Sequence, residues 1–331
     1  MSKPTYADIA ARAGVGTATV ERVLNGRGSV RADTAEKVLI AARVLDWPGR
    51  LPDKHLGIVR IEVILMRPEL SFFVRLSRAF KRIAATLDPA IQLHLTFLDE
   101  SNPAAIAERI AEPGARRSGL VIASPDHPQI SAALDRQRAR RLPIVQIVSQ
   151  AAPGDDFVGI DNYAAGRTAG LMMARLGAVR GPVLALSHSA AYRVHRDRMR
   201  GFSDYLEAFG PGPEFTWIGF TQDNTSTAAA RVAEALDRHP DLAGVYNAGG
   251  PNGAVLQALA RTRRKVFFVG HELTETTRAA LANGSADVIL DQAPEAQARR
   301  ATDLMLLRLG LIQEPVDNPP IRFTTITAES L

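Results

Sequence analysis

Thr17, Ala18, Thr19, Glu21 and Arg22 crowd hydroxyl, methyl, carboxylate and guanidinium groups into six consecutive positions. On one side of a short helix, such groups can meet base edges and phosphates in a DNA major groove. The flanking elements must then hold that helix outward. Thr5 can cap a preceding helix, with Asp8 three residues on near its positive end. Ile9, Ala10 and Ala13 form an apolar face, and Gly14 permits a left-handed turn. Val15, Val20, Val23 and Leu24 give the second helix its packing face. A third helix is predicted from about Arg31 to Val44, with Val38, Ala41, Ala42 and Leu45 inward. The layout is a helix-turn-helix. A plain three-helix miniature domain is the competing reading; it leaves the coincidence of turn, small residues and charge unexplained.

Charge supports the first reading. Residues 1–60 hold ten Lys/Arg and six Asp/Glu, an excess of four out of a net +5 for the chain. A basic head on a near-neutral body is the footprint of phosphate binding.

The 331 residues allow a small head and larger domains, and 46% hydrophobic content implies a sizeable core. There is no cysteine, so disulfides and cysteine-held metals are excluded, consistent with a reducing compartment. No secretory leader and no membrane span is expected, so the expected location is the cytoplasm, at the nucleoid. Residues 48–60 collect prolines, glycines and charges and form a natural linker. Beyond it, short apolar runs alternate with amphipathic helices. Strands are predicted at 61–66, 92–97, 119–123, 144–147, 157–160, 183–187, 215–219, 244–247, 266–270, 288–290 and 322–325. Helices are predicted at 73–87, 103–111, 129–140, 163–176, 196–208, 225–238, 253–261, 274–283 and 294–309. The expected fold class is an N-terminal all-α helix-turn-helix head plus an α/β body of two doubly wound parallel-sheet lobes. Such sheets bind ligands beyond the carboxyl ends of their strands.

The stretch Ile9-Ala10-Ala11-Arg12-Ala13-Gly14-Val15-Gly16-Thr17-Ala18-Thr19-Val20-Glu21-Arg22-Val23-Leu24-Asn25-Gly26 resembles the signature of the lac repressor family of bacterial transcription regulators. The body is similar to the periplasmic-binding-protein-like (type I) effector domain of that family. Supporting segments are Ser71-Phe72-Phe73, Phe157 to Asn162, Arg198 to Phe202 and Phe268 to Glu272. The resemblance implies a DNA-binding head at 1–47, a hinge at 48–60 and a two-lobed effector and dimerisation domain at 61–331. The first lobe would take about 61–160 and 292–321, the second about 161–291 and 322–331.

By that resemblance, Thr17, Ala18 and Arg22 fall where base edges are read, Arg22 being the candidate for a bidentate contact to guanine. Thr5, Thr19, Asn25 and the backbone near Val30 fall at phosphate-positioning places. Glu21 stands where the family has Ser, and accepts from a cytosine amino group or pairs with Arg22 if it is not to repel phosphate. Gly16 and Arg31 also replace family serines that cap helices. The family hinge wedges a leucine into the minor groove. Here Leu51 or Leu56 is the candidate wedge, Pro52 interrupts the segment, and insertion of neither is the alternative.

Sugar sites pair apolar ring faces with planar bidentate partners. The resemblance puts Phe72, Phe73, Asp126, Arg196 or Arg198, Asn247, Glu272 and Gln292 at the effector pocket. His188, His195 and His271 are further donors that titrate near neutrality. The implied ligand is a sugar, polyol or sugar acid. The implied partners are double-stranded operator DNA and a second copy of the chain in a homodimer.

Enzyme motifs fail on inspection. His271-Glu272-Leu273-Thr274-Glu275 lacks the second histidine of a zinc-protease helix. Ser187-His188-Ser189 has no nucleophile elbow. Gly249-Gly250-Pro251-Asn252-Gly253 lacks the Lys-Ser/Thr of a phosphate loop. No cofactor and no metal is expected. The alternative function is a solute-binding protein for sugar uptake, which the basic head and missing leader disfavour.

Overall fold

The computed structural model describes residues 4–25, 30–49, 58–177, 181–189, 191–209, 215–262 and 264–331. The head is three helices, α1 (Tyr6–Ala13), α2 (Thr17–Leu24) and α3 (Ala32–Val44). A capping box starts α1: Thr5 Oγ1 accepts from the Asp8 amide at 3.3 Å, and Asp8 Oδ2 accepts from the Thr5 amide at 2.8 Å. Gly14, at φ 65°, ends it with a left-handed turn. Ile9, Val20, Val38, Leu39 and Ala42 are fully buried between the three helices. Each of the larger aliphatic side chains contributes roughly 1.5–3 kcal/mol. Tyr6 stacks on Trp47 with centroids 5.0 Å apart and closes the base.

The body begins with β1 (Val59–Met66), α4 (Ser71–Ala84), β2 (Ile91–Leu98), α5 (Pro103–Ala111), β3 (Gly119–Ile122), α6 (Pro128–Ala139), β4 (Ile144–Ile147) and β5 (Asp156–Val158). These five strands form a parallel sheet in the order β2-β1-β3-β4-β5. The chain continues through α7 (Asn162–Leu176), β6 (Val183–Ser187), α8 (Arg193–Ala208), β7 (Phe215–Phe220), α9 (Thr225–Arg238), β8 (Gly244–Asn247), α10 (Asn252–Leu259), β9 (Phe267–His271), α11 (Glu275–Ala282) and β10 (Val288–Asp291). α12 (Pro294–Arg308) and β11 (Thr324–Ile326) follow. The second sheet runs β11-β10-β9-β8-β6-β7. It is parallel except at β11, which joins β10 antiparallel, Leu290 opposite Thr325. The sequence reading anticipated parallel strands throughout; the last strand enters after a return through the first lobe and so arrives reversed.

The chain crosses between lobes after β5, after β10 and again before β11. α12, sandwiched between the other two crossings, packs on α4 and on β3, β4 and β5 of the first lobe. Both sheets change winding direction beside their first strand, between β1 and β3 and between β6 and β8. Those switch points open a crevice at the carboxyl ends.

α7 and α8 pack tightly. A Cβ on Gly201 would lie 2.1 Å from the Tyr163 carbonyl oxygen, and one on Gly166 would lie 2.1 Å from that of Arg198. The glycines permit an approach that seats Arg198 against Asn162. Among the described residues no helix is long and apolar enough to cross a membrane.

Candidate functional site

The two sets of strand ends enclose a cavity of about 440 Å3, inside the usual range for small-molecule sites. Several residues that turn the chain out of its strands there have left-handed backbones: Arg67 (φ 49°), Val148 (φ 69°), Asp223 (φ 52°) and Glu272 (φ 71°). Clustered non-glycine residues in that region mark a place where the fold holds side chains at some conformational cost.

Six of the sequence-predicted residues line this cavity: Phe72, Phe73, Arg198, Asn247, Glu272 and Gln292. Phe72 and Phe73 open α4 and meet edge to face at 5.3 Å. Arg198 is 2% exposed. Its Nε donates to Asn162 Oδ1 at 2.9 Å and its Nη1 to the Ala248 carbonyl at 2.6 Å. Asn247 Nδ2 donates to Asn252 Oδ1 at 2.8 Å, which leaves Asn247 Oδ1 without a partner. Gln292 Nε2 donates to Glu272 Oε1. Glu272 Oε2 accepts no hydrogen bond. Burial, helped by the neighbouring Asp291 charge, pushes the Glu272 carboxyl up to about 8.

Asp126 and Arg196 do not line the cavity; they pair with each other at 2.8 Å as exposed side chains, and of the alternatives Arg196 and Arg198 only Arg198 lines it. Arg196 lies two residues from Arg198 on α8, about 200° round the helix, so only one of them can face inward. The candidate wedge residues Leu51 and Leu56 lie outside the described residues.

The sequence reading named His188 but missed the charged residues that surround it between the lobes. Arg67 Nη1 meets Glu100 Oε1 and Asp223 Oδ2, both at 3.0 Å, and Arg67 Nε meets Glu69 at 3.0 Å. His188 places Nε2 3.1 Å from Glu100 and Nδ1 3.2 Å from Asp223. Burial disfavours its charged ring, but the two carboxylates outweigh burial and lift His188 to about 9. Tyr192 donates to Glu100 Oε2 at 2.6 Å. Arg67, Glu69 and Glu100 come from the first lobe; His188, Tyr192 and Asp223 come from the second. Arg75, on α4, was also missed. It bridges to Asp291 at 2.5 Å, Glu295 at 2.9 Å and the Leu273 carbonyl at 3.2 Å, with Glu272 3.8 Å away. The signal for Arg67, Glu100 and Asp223 was a charged residue one to three places past a strand.

His195 and His271 also line the cavity. Burial, then the Arg198 charge, holds both rings well below the ordinary histidine value and so neutral. Among the described residues no cluster of three or more His, Cys, Asp or Glu could hold a metal ion.

On the head, Thr17, Ala18, Glu21, Arg22 and Asn25 are exposed along one side of α2, and Thr19 is half-buried. Thr5 is exposed at the start of α1, and Val30 is half-buried ahead of α3. Gly16 leads into α2 and Arg31 into α3, neither with a side-chain cap.

Residues 5–48 match the model for bacterial regulatory proteins of the lacI family, and residues 61–310 match the periplasmic binding protein domain. The HTH-type transcriptional regulator GalS of Salmonella typhimurium is 27% identical over 253 residues, covering 73% of this chain and 71% of GalS. The HTH-type transcriptional regulator MalR of Streptomyces coelicolor is 33% identical over 167 residues, 48% of this chain and 42% of MalR. In fold, a Burkholderia graminis ABC transporter solute-binding protein in complex with D-arabinose superposes with a TM-score of 0.73 at 18% identity. That match covers 83% of this chain and 97% of the transporter protein. The glucose-galactose binding protein GanP of Geobacillus stearothermophilus gives 0.70 at 18%, covering 82% and 98%. The chain therefore belongs to the periplasmic binding protein domain family through its body and carries a lacI-family regulatory head in front of it.

Proposed function

We propose that this protein is a sequence-specific DNA-binding transcriptional regulator, a repressor, whose operator affinity is set by a carbohydrate-like ligand held between the lobes. One observation carries the reading. A single chain joins an exposed polar face on α2, ending in Arg22, to a cleft that buries Arg198, Asn247 and Glu272. A transport protein has no use for the first, and a constitutive DNA-binding protein has no use for the second. The names of GalS and MalR, and the sugars bound by the fold's neighbours, support the same reading.

In this reading Thr17, Ala18 and Arg22 face bases. Thr5, Thr19, Asn25 and the Val30 backbone position phosphates, and a leucine of the linker, Leu51 or Leu56, supplies a minor-groove wedge. Two copies act as a homodimer on a pseudo-palindromic operator at the nucleoid. Ligand draws the lobes together, changes the spacing of the heads and so changes DNA affinity. By linkage, DNA changes ligand affinity by the same factor. The protein is a binder and not an enzyme: His188, the neighbour of Ser187, is engaged by Glu100 and Asp223 and is no base for that hydroxyl.

The test is fluorescence anisotropy with two-fold symmetric DNA at several salt concentrations, with and without a sugar panel. Binding should weaken linearly in log-log form as salt rises, and one sugar should shift the operator affinity. Salt-independent or absent DNA retention, or identical sugar affinity with and without operator, overturns the reading.

A further inference from the structure

The cations at one end of the cavity have carboxylate partners; another cation in the lining has none. At the Arg67 end, two cations and three carboxylates answer one another: Arg67 and protonated His188 against Glu69, Glu100 and Asp223. Elsewhere in the lining, Arg198 is buried with neutral hydrogen-bond partners, the Asn162 amide and the Ala248 carbonyl. Its Nη2 has no partner among the described residues. A buried guanidinium without a carboxylate is a costly arrangement.

The groups nearby do not relieve it. Burial, with the Asp291 charge beside it, pushes the Glu272 carboxyl up to about 8, so at neutral pH it offers Arg198 little negative charge. Asp291 itself is committed to Arg75 at 2.5 Å. His195 and His271 are kept neutral, in part by Arg198. Helix termini add to the imbalance. α4, α8 and α10 start at the cavity from Leu70, Tyr192 and Pro251, with no side-chain cap. Their unsatisfied amides and dipoles favour negative charge. α7 and α9, by contrast, are capped by Asp161 and Asn224.

We propose that the effector is an acidic sugar, its carboxylate seated against Arg198 Nη2 and its hydroxyls on Asn247, His195 and Glu272. The proposal rests on the carbohydrate reading of the cleft and sharpens it to a ligand class. The carboxylate supplies the missing counter-ion. The hydroxyls supply donors to Asn247 Oδ1 and His195 Nδ1, both unpartnered. His195 accepts rather than donates there, because the ring is neutral and its other nitrogen serves the Ala248 carbonyl. The phenyl rings of Phe72 and Phe73 supply apolar surface on the first-lobe side.

The test is calorimetry on the full chain with matched probes: D-glucose against D-gluconate, D-glucuronate and glucose 6-phosphate, and the galacto series alongside. One carboxylate should bind on the order of tenfold or more tighter than its neutral parent, since charge-assisted hydrogen bonds are the stronger ones. Arg198→Gln should bring that ratio close to one, and Arg198→Lys should restore part of it. Operator binding by each variant reports that it is folded. A neutral sugar or the phosphate ester binding tighter than both carboxylates overturns the proposal and leaves the carbohydrate reading standing. Binding by none of these probes overturns both.

Discussion

Arg67 of the first lobe and Asp223 of the second are joined at 3.0 Å, each at the carboxyl end of a strand in its own sheet. His188 and Glu100 complete a four-membered bridge across the mouth of the cleft. Closure of the lobes is thus held by side chains that are less than a fifth exposed, so solvent screens them little. Asp223→Asn should leave Arg67 and His188 under-compensated in the closed form, costing about 1–3 kcal/mol of closure. Ligand affinity should drop accordingly, and small-angle scattering should show a more extended average shape. An unchanged affinity would mean that closure does not depend on the bridge.

Alkaline pH should loosen the same bridge. His188 titrates at about 9 in the folded protein, above its ordinary 6.5. Its contribution is complete below about pH 6.5 and disappears as the pH rises through 9. Glu272, raised from an ordinary 4.5 to about 8, acts in the same direction over a lower window, because between those values the carboxyl ionises in the unfolded chain but not in its buried site. The melting midpoint should therefore decline from about pH 4.5, with the Glu272 part complete by about 8 and the His188 part running from 6.5 to 9. His188→Gln should remove one part of the decline and Glu272→Gln the other; a flat wild-type profile would contradict both assignments.

On the head, Arg22→Ala should reduce discrimination between operator and random DNA by roughly 1–3 kcal/mol, with calorimetric ligand affinity unchanged in the absence of DNA. Loss of ligand binding in that variant would contradict the division of labour between head and cleft.

Gly16 offers a gain. It occupies the cap position of α2 with extended backbone, φ −78° and ψ 152°, and a Cβ there would meet nothing within 4 Å. Gly16→Ser should add a cap worth roughly 0.3 kcal/mol to head stability, read as a small rise in the unfolding midpoint of the helical signal. Thr5→Ala, which breaks the capping box, should lower it by about 1 kcal/mol.

Gly201→Ala should push α7 and α8 apart, because its methyl meets the Tyr163 carbonyl. The displaced element carries Arg198, so the cost of about 1–3 kcal/mol from overpacking should be accompanied by weakened ligand binding. Destabilisation with full ligand affinity would show that Arg198 does not depend on that packing.

Much of this arrangement was legible in the residues. Alternation of apolar runs with amphipathic stretches located the eleven strands found among the described residues to within a few positions, because both faces of these sheets are covered. Asn247, Glu272 and Gln292 could be placed since each ends or follows a strand. Arg67, Glu100 and Asp223 obey the same rule, but their partners lie on the opposite lobe. Pairing across a cleft leaves no periodic trace in the chain. Arg75 was hidden differently: an arginine on an amphipathic helix reads as a solvated cation until the partner helix is known. The choice of Arg198 over Arg196 needed the rotation of α8 about its axis, which Gly201 fixes by contact with α7. The reversed direction of β11 depends on a return path through the other lobe, on which local pattern is silent.

The position of α12 sets an order for biosynthesis. β3, β4 and β5 are complete once Val158 has been made, yet the helix that covers one face of them begins at Pro294. At ordinary ribosome speeds the interval is roughly 7 to 27 seconds. Throughout it the nascent first sheet carries a bare hydrophobic side, around Val121, Val145 and Ile147, that nothing yet synthesised is placed to cover. Packing of that first sheet can therefore be completed only after α12 has been synthesised.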